Sequence, residues 1–354
     1  MSFDEPAYLA WAQRHYGKVA YDLASSGMPT AALADLPPRP AVLDDPHAWA
    51  SLPGAIGDAT GVPADEIAPA LGTSHAIFLA YQALLSPGDR VLVEHPVYEP
   101  LVLVARALGA TVDAFPRPRG ELSVDAVLSR VTPATRAVVL TNLHNPTGVR
   151  APDDTIAELA RRLADVPLIV DEVYAPFDGL LEGDRIPASA RGLGPNVIAI
   201  SSLTKAFGAG PHRVGWVAAP AVVAARVRGA ITSTCGLLPV SHAAIARHLL
   251  RHVGALAVRS RGLLGDKRAR VADFVARRGL DWSGPAEGLF GLVYVEGSRD
   301  VREVVEEAAR DLGVLVAPGA FFGEPASFRI GWSLPEADLD AALDRLDRLL
   351  ARLG

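Results

Sequence analysis

The sequence predicts an α/β fold, with a large part built on a largely parallel sheet and a smaller α+β part beside it. Three observations predict it. Short apolar runs alternate with longer helical patterns from about residue 65 to residue 220. Several of these runs are apolar at consecutive positions, as strands covered on both faces must be. After about residue 230 the alternation gives way to arginine-rich helical patterns and then to shorter mixed segments.

In chain order, the strand candidates of the large part are residues 91–94, 111–115, 137–141, 168–171, 197–201 and 214–218. Helical patterns lie between them. The one at 74–85 follows a Gly-Thr-Ser turn and stops before Ser86-Pro87-Gly88. Another at 153–164 opens with Pro152, Asp153 and Asp154, and acids suit a helix N-terminus. Alternation of this kind reads as βα units feeding a parallel sheet. Arginine-rich helices are expected over 241–279, then a strand at 291–295 and a helix at 301–312. Strands at 314–317 and 327–330 follow, and then a last helix. Leucines 339, 343, 346, 350 and 353 repeat at spacings of three and four, which marks one apolar face. The expected division is a large domain over 41–230 and a small one made of 1–40 with 231–354. The Pro-rich stretch 36–40 is the linker candidate.

Composition narrows the function. The chain has 354 residues, is 50% hydrophobic and 21% charged, and carries a formal net charge of −6. This is globular composition, and mild acidity argues against a nucleic-acid partner. No apolar run reaches the ~20 residues of a membrane helix. The single cysteine, Cys235, excludes an internal disulfide and fits a reducing compartment. Acids at the N-terminus stand where a signal peptide carries positive charge, so a cytoplasmic location is expected. Among the 34 basic residues only Lys18, Lys205 and Lys267 are lysines. Guanidinium does not lose a proton at working pH, so amine chemistry has three places to occur. Lys18 and Lys267, with no motif around them, are expected to be exposed.

Ligands of open α/β sheets gather at the C-terminal ends of the strands. Four polar clusters fall there. Lys205 follows an apolar strand and is flanked by hydroxyls in Ser202-Leu203-Thr204-Lys205. A lysine there is a surface residue or an amine whose lowered pKa makes it a nucleophile toward an aldehyde. Asp171 ends the most apolar strand, where a carboxylate is costly unless paired. It is either a cap or salt-bridge partner, or the partner of a protonated pyridine nitrogen. Tyr174, three residues on, reaches a phenolate oxygen of the same ring or is simply half buried. In Asn145-Pro146-Thr147-Gly148 the amide is fixed by proline and glycine, though Asn-Pro also forms plain turns. The turn Gly72-Thr73-Ser74 opening a helix is a phosphate site in outline or an ordinary cap. Ser202 and Arg213 would complete such a site. Arg329 is a charge in an apolar strand, either a salt-bridge partner or a two-point grip on a carboxylate.

Together these residues resemble the class I/II aminotransferases, which are fold-type I, aspartate-aminotransferase-like pyridoxal-phosphate enzymes. The resemblance covers roughly residues 20–335. It implies pyridoxal 5′-phosphate as cofactor and Lys205 as the Schiff-base lysine that also transfers the proton. It implies Asp171 on the ring nitrogen, with Tyr174 and Asn145 on the ring oxygen. Tyr98, in His95-Pro96-Val97-Tyr98, takes the position of the stacking ring. Gly72, Thr73, Ser74, Ser202 and Arg213 match the phosphate cup. Arg329, Asn145 and Gly27, the last in Ser25-Ser26-Gly27-Met28-Pro29, match the substrate site. The implied reaction is ping-pong transamination between an L-amino acid and a 2-keto acid, in a homodimer, without metal, nucleic acid or membrane. One segment departs from the pattern: Asp45–Pro53 lacks the tyrosine that reaches the neighbouring subunit's phosphate, and the Leu-Arg that follows it.

Other readings are open. The motifs bind cofactor and carboxylate without choosing which bond to Cα breaks, so a decarboxylase, a C–S lyase or an oxidase-like enzyme fits them too. A ligand sensor with an aminotransferase-like domain would carry an N-terminal winged helix, for which about 20 residues leave no room. Gly72-Thr73-Ser74-His75-Ala76 faintly echoes a hydrolase nucleophile elbow but ends in Ala. No Gly-x-Gly-x-x-Gly follows a strand, and no Cys/His cluster has metal-ligand spacing.

Overall fold

The computed structural model describes residues 4–32, 35–38, 43, 45–177, 186–297 and 300–353. Residues 39 and 40 of the expected linker, and the boundary at 41, lie outside these. The chain opens with α1 (Ala7–His15), β1 (Tyr21–Asp22) and α2 (Ala48–Thr60). Then come β2 (Ile67–Leu71), α3 (Gly72–Leu84), β3 (Arg90–His95), α4 (Pro100–Ala107), β4 (Thr111–Pro116) and α5 (Val124–Leu128). Next are β5 (Thr135–Thr141), α6 (Asp153–Leu163), β6 (Leu168–Asp171), β7 (Val197–Ser202), β8 (Val214–Ala218) and α7 (Ala221–Cys235). The remainder is α8 (Val240–Arg251), α9 (Val253–Leu264), α10 (Lys267–Arg277), β9 (Asp281–Trp282), β10 (Phe290–Tyr294) and α11 (Arg302–Asp311), followed by β11 (Val314–Leu315), β12 (Ala317–Pro318), β13 (Ser327–Gly331) and α12 (Glu336–Leu353).

Seven strands form the main sheet in the order β2-β8-β7-β6-β5-β3-β4. Neighbours from β7 to β4 pair parallel, while β8 is antiparallel to both β7 and β2. The register sets Thr141 beside Asp171 and Asp171 beside Ile200. The loops after β5, β6 and β7 therefore leave the sheet along one edge, and the motifs of those loops converge there.

Period-two alternation sorts the strand side chains onto two faces. Val139, Ile169 and Ile198 pack in a cluster with Ile77, Ala80, Val227 and Ile231 of α3 and α7. Leu140, Val170 and Ala199 face the other way, toward Ile156 and Leu159 of α6. That second cluster runs on into Trp11, Phe274, Phe328, Leu339 and Leu346, so the N-terminal helix and the C-terminal elements share one core with the main sheet. Leu343 is also buried and Leu350 packs against the core, as the one-faced spacing in α12 requires.

A smaller antiparallel sheet has the order β12-β13-β10-β9. The expected single strand at 314–317 is two. Val314–Leu315 pairs parallel with β1, whereas Ala317–Pro318 pairs with β13, and Val316 between them redirects the chain from one sheet to the other. Lys267 also departs from expectation. It is 4% exposed, not solvated, and its Nζ donates to the carbonyls of Leu263 and Leu334. An ammonium at the end of α9 satisfies a terminal carbonyl that the helix leaves without a partner. Among the described residues no helix is long and apolar enough to cross a membrane, and no group of three or more acidic, Cys or His side chains could hold a metal.

Candidate active site

A cavity of about 280 Å³ opens at the C-terminal edge of the main sheet. Thr73, Ser74, Tyr98, Asn145, Asp171, Tyr174, Lys205 and Arg213 all line it. These residues come from six separate chain segments, which the sheet brings together. A larger cleft of about 970 Å³ lies elsewhere, between α2, α7 and α8, and is lined by Arg228, Arg247 and Arg251. Chemistry, not size, marks the functional cavity, because the larger cleft contains neither an amine nor a buried acid.

The anion-binding corner is built from α3, β7 and the loop before β8. Gly72 opens α3 with φ +77°, a left-handed conformation that glycine takes without strain. A Cβ there would meet the Arg213 guanidinium, and one on Gly215 would meet the Gly72 backbone. Two glycines thus let the start of α3 lie against β8 with Arg213 across it. Arg213 itself is left-handed, with φ 52°. Thr73 Oγ1 and Ser202 Oγ are 2.9 Å apart, and Ser202 Oγ is 2.7 Å from Thr204 Oγ1. Hydroxyl donors, a guanidinium and a helix N-terminus therefore face one point, which is where a phosphate is best held.

Lys205 lies deeper. Burial pushes its ammonium pKa down, and Arg329 and Arg213 add to this against the opposing pull of Tyr8 and Asp171. Its Nζ donates to Ser26 Oγ at 3.4 Å, and the Tyr174 hydroxyl donates to the same oxygen at 3.1 Å. The Tyr174 ring lies 6.0 Å from Nζ. Gly27 stands over this lysine, since a Cβ there would sit 3.6 Å from Lys205 Cδ. Met28 N–H then bonds Lys205 O at 3.0 Å, which pins the N-terminal segment across the strand end.

Asp171 is 2% exposed, and its carboxylate accepts one hydrogen bond among the described residues, from Val173 N–H at 3.2 Å. Burial pushes its carboxyl up to about 7. An acid so poorly compensated favours a cationic partner brought into the cavity. Its neighbour Glu172 is committed elsewhere, accepting from Ser189 Oγ and Ala190 N–H at 2.7 Å each.

The loop after β5 is fixed from beneath. Glu94 and Arg117 form a fully buried pair at 2.6 Å. Glu94 also accepts from Thr141 N and Oγ1, at 2.9 and 2.6 Å. Thr141 Oγ1 in turn accepts from Asn145 N–H at 2.9 Å. Buried His144 bonds Thr147 Oγ1 and Pro96 O at 2.7 and 3.0 Å, and burial holds its pKa well below the ordinary value. These contacts aim the Asn145 side chain, whose Oδ1 accepts from Arg329 Nη1 at 2.7 Å. Its amide NH₂ is left for a ligand.

Arg329 projects from β13 and is fully buried. Phe290 and Phe322 lie 4.8 and 5.0 Å from its Cζ, and Tyr8 at 5.2 Å. The guanidinium is not an empty fork. Nη2 donates to the Tyr8 hydroxyl at 2.5 Å and to Ala24 O at 2.9 Å, while Nε is buried without a partner among the described residues. Tyr8, Tyr16 and Ser26 are site residues that sequence reasoning missed. Ser26 had a signal, being next to Gly27, whereas no motif surrounds the two tyrosines.

The sequence model for class I and II aminotransferases matches residues 49–346. The chain belongs to the class I and II aminotransferase family. It is 30% identical over 308 residues to histidinol-phosphate aminotransferase 2 of Ralstonia nicotianae, covering 85% of this chain and 79% of that protein. It is 36% identical over 172 residues to the arginine–pyruvate transaminase AruH of Pseudomonas aeruginosa; this match spans 47% of the chain and less than half, 43%, of the relative. Among solved structures, a PLP-dependent cyclase, OrfR, superposes with a TM-score of 0.87 at 27% identity, covering 100% of this chain and 99% of that one. An aspartate aminotransferase double mutant of Thermus thermophilus gives 0.81 at 22% identity, covering 99% and 97%, and shares the fold. The expected fold-type I, aspartate-aminotransferase-like architecture is thus borne out, as are the family and its cofactor, pyridoxal 5′-phosphate. The expectation of a transaminase is borne out at the level of the family.

The residues present fit that cofactor. The cup at Gly72, Thr73, Ser202 and Arg213 suits its phosphate, and under-bonded Asp171 suits its ring nitrogen. Lys205, with burial favouring its neutral form, lies between them in the same cavity.

Proposed function

We propose that the protein moves an amino group between an L-amino acid and a 2-keto acid by ping-pong transamination. The observation that carries this is the half-buried amine of Lys205, its ammonium disfavoured by desolvation, sharing one cavity with Asp171 and with the phosphate cup. Bound pyridoxal phosphate supplies an aldehyde that exchanges amines and an electron-poor ring that draws charge from the substrate's Cα. The side chains around it divide the remaining work. Thr73, Ser74, Ser202 and Arg213 hold the phosphate. Asp171 keeps a proton on the ring nitrogen, because the cation relieves its own buried charge. Tyr98 packs on the ring, and Asn145 and Tyr174 donate to the ring oxygen. Arg329 and the Asn145 amide hold the α-carboxylate under Gly27. With the cofactor bound, Lys205 Nζ would take the proton from the substrate's Cα and return it to the cofactor carbon two bonds away, beyond the amino nitrogen. Ser26 and Tyr174 keep Nζ in place for that transfer. Phe290, Phe322 and Tyr8 keep water from the guanidinium.

The likeness to a PLP-dependent cyclase, which covers the whole chain, supports a second reading: another reaction begun by loss of the same proton. One experiment separates the two. The holoenzyme is mixed with a panel of amino acids while absorbance and products are followed. Transamination gives the amine form of the cofactor and the matching keto acid. Release of carbon dioxide or ammonia, or a cyclised product with the aldehyde form retained, rejects it. Borohydride should fix the cofactor to Lys205 in the wild type and to no residue of the cavity in Lys205→Ala.

We further propose that the large domain spans 41–230, the small one 1–40 with 231–354, and that the protein works as a cytoplasmic homodimer. The free thiol of Cys235 supports a reducing compartment. Light scattering in solution tests the assembly.

A further inference from the structure

A carboxylate gripped at two points by arginine needs two parallel N–H bonds. Guanidinium offers two such edges, Nη1 with Nη2 at its end and Nε with Nη2 at its side. Each of them uses Nη2. In Arg329 both Nη2 hydrogens are taken, one by the Tyr8 hydroxyl and one by Ala24 O. A substrate carboxylate therefore displaces one of these acceptors.

Ala24 is the fixed one. Its N–H and that of Ser25 both donate to Asp22 Oδ1 at 2.9 Å, and Leu23 N–H bonds Leu315 O at 2.9 Å. Its carbonyl also accepts from the Tyr16 hydroxyl at 3.1 Å. Tyr8 is a side chain on α1 and has somewhere else to bond. Tyr16 spends its proton on Ala24 O, so Tyr8, 2.8 Å away, donates to the Tyr16 oxygen. Tyr8 thus keeps a partner when it gives up Arg329. Next to Tyr8 in sequence, Leu9 already lines the cavity. The orphaned Nε and the free Asn145 amide complete the donors a carboxylate would meet.

We propose that Tyr8 is a further residue of the substrate-carboxylate site: its hydroxyl holds Nη2 of Arg329 and is exchanged for a carboxylate oxygen when substrate binds. This rests on the reading of Arg329 as the carboxylate-binding arginine. Tyr8 competes with substrate for the ground state of the arginine, so its removal should tighten carboxylate binding. A tyrosine that only props the arginine in place would do the opposite.

The test uses 3-phenylpropionate and propionate, carboxylates that cannot react. They are titrated into the holoenzyme by cofactor absorbance and into the cofactor-free protein by calorimetry. Tyr8→Phe should bind both roughly five-fold more tightly, about the worth of one ordinary hydrogen bond. Tyr16→Phe leaves the Tyr8 hydroxyl on Arg329 and removes the partner it would turn to, so binding should be weaker than in wild type, by up to about five-fold. Arg329→Gln should lose binding in either background. Unchanged or weaker binding by Tyr8→Phe overturns the proposal, and so does equal tightening by Tyr16→Phe, which would show that α1 had only loosened. Undiminished binding by Arg329→Gln overturns it as well, by removing the arginine from the site. Failure of the wild type to make a keto acid from any amino acid would refute transamination alone, because carboxylate binding is read separately.

Discussion

Asp171→Asn gives a pH-dependent stability change whose sign depends on the cofactor. In the folded chain burial raises the carboxyl from 3.8 to about 7. A raised acid pKa means that the folded state holds this proton more tightly than the unfolded one. Stability is thus lost as pH climbs through the window between the two values, and the loss saturates above the upper one. Of the roughly three units in the shift, about two accrue between pH 5 and pH 8, or about 2–3 kcal/mol. For a chain of 354 residues that is about 3–4 °C in Tm. Asn has no proton to lose, so the cofactor-free variant should gain on wild type by this amount from pH 5 to pH 8. With cofactor bound, a cation on the ring nitrogen compensates Asp171, and the wild type should be the more stable at pH 8. Melting curves of both proteins, with and without pyridoxal phosphate at the two pH values, read all four cases. A difference between the proteins that does not change with pH would refute the reasoning, since the cost would then not be one of ionisation.

Two other substitutions probe the frame. Gly72→Ala puts a side chain at φ +77° and against the Arg213 guanidinium, so cofactor affinity should fall about ten-fold and stability by about 1–3 kcal/mol; unaltered affinity in a cofactor titration would detach Arg213 from the phosphate site. Glu94→Gln leaves Arg117 buried without its charge partner and should cost about 3–5 kcal/mol, or roughly 4–7 °C in Tm; a loss under 1 °C would show that the pair contributes little.

Legibility followed the physics of each segment. Strands β3 and β5 to β8 were readable because they are covered on both faces, and their apolar runs have no other use; β4, at the sheet edge, is largely exposed and buries only Phe115. β2 was missed because Pro69 stands at its centre. Proline lacks a donor for the ladder and argues against a strand, yet β2 lies at the sheet edge, where one side needs no donor. Pro53 hid α2 in the same way, being inside the helix. Lys205, Asp171, Asn145 and Arg213 were legible because their residue types are unusual at apolar strand ends. Tyr8 and Tyr16 were not, because their role depends on α1 folding back some 320 residues along the chain onto Arg329. Lys267 shows the same limit: a lone lysine reads as surface until two carbonyls surround it.

Aldehydes condense with amines and not with guanidinium. Of the three lysines, Lys267 is enclosed by backbone, Lys205 lines the cavity, and Lys18 alone is exposed. A reactive carbonyl diffusing over this molecule therefore finds almost no lysine outside the cavity to scavenge it. Even a scarce aldehyde reaches Lys205 undepleted, and amine-directed labels such as succinimidyl esters should give a pattern simple enough to read one lysine at a time.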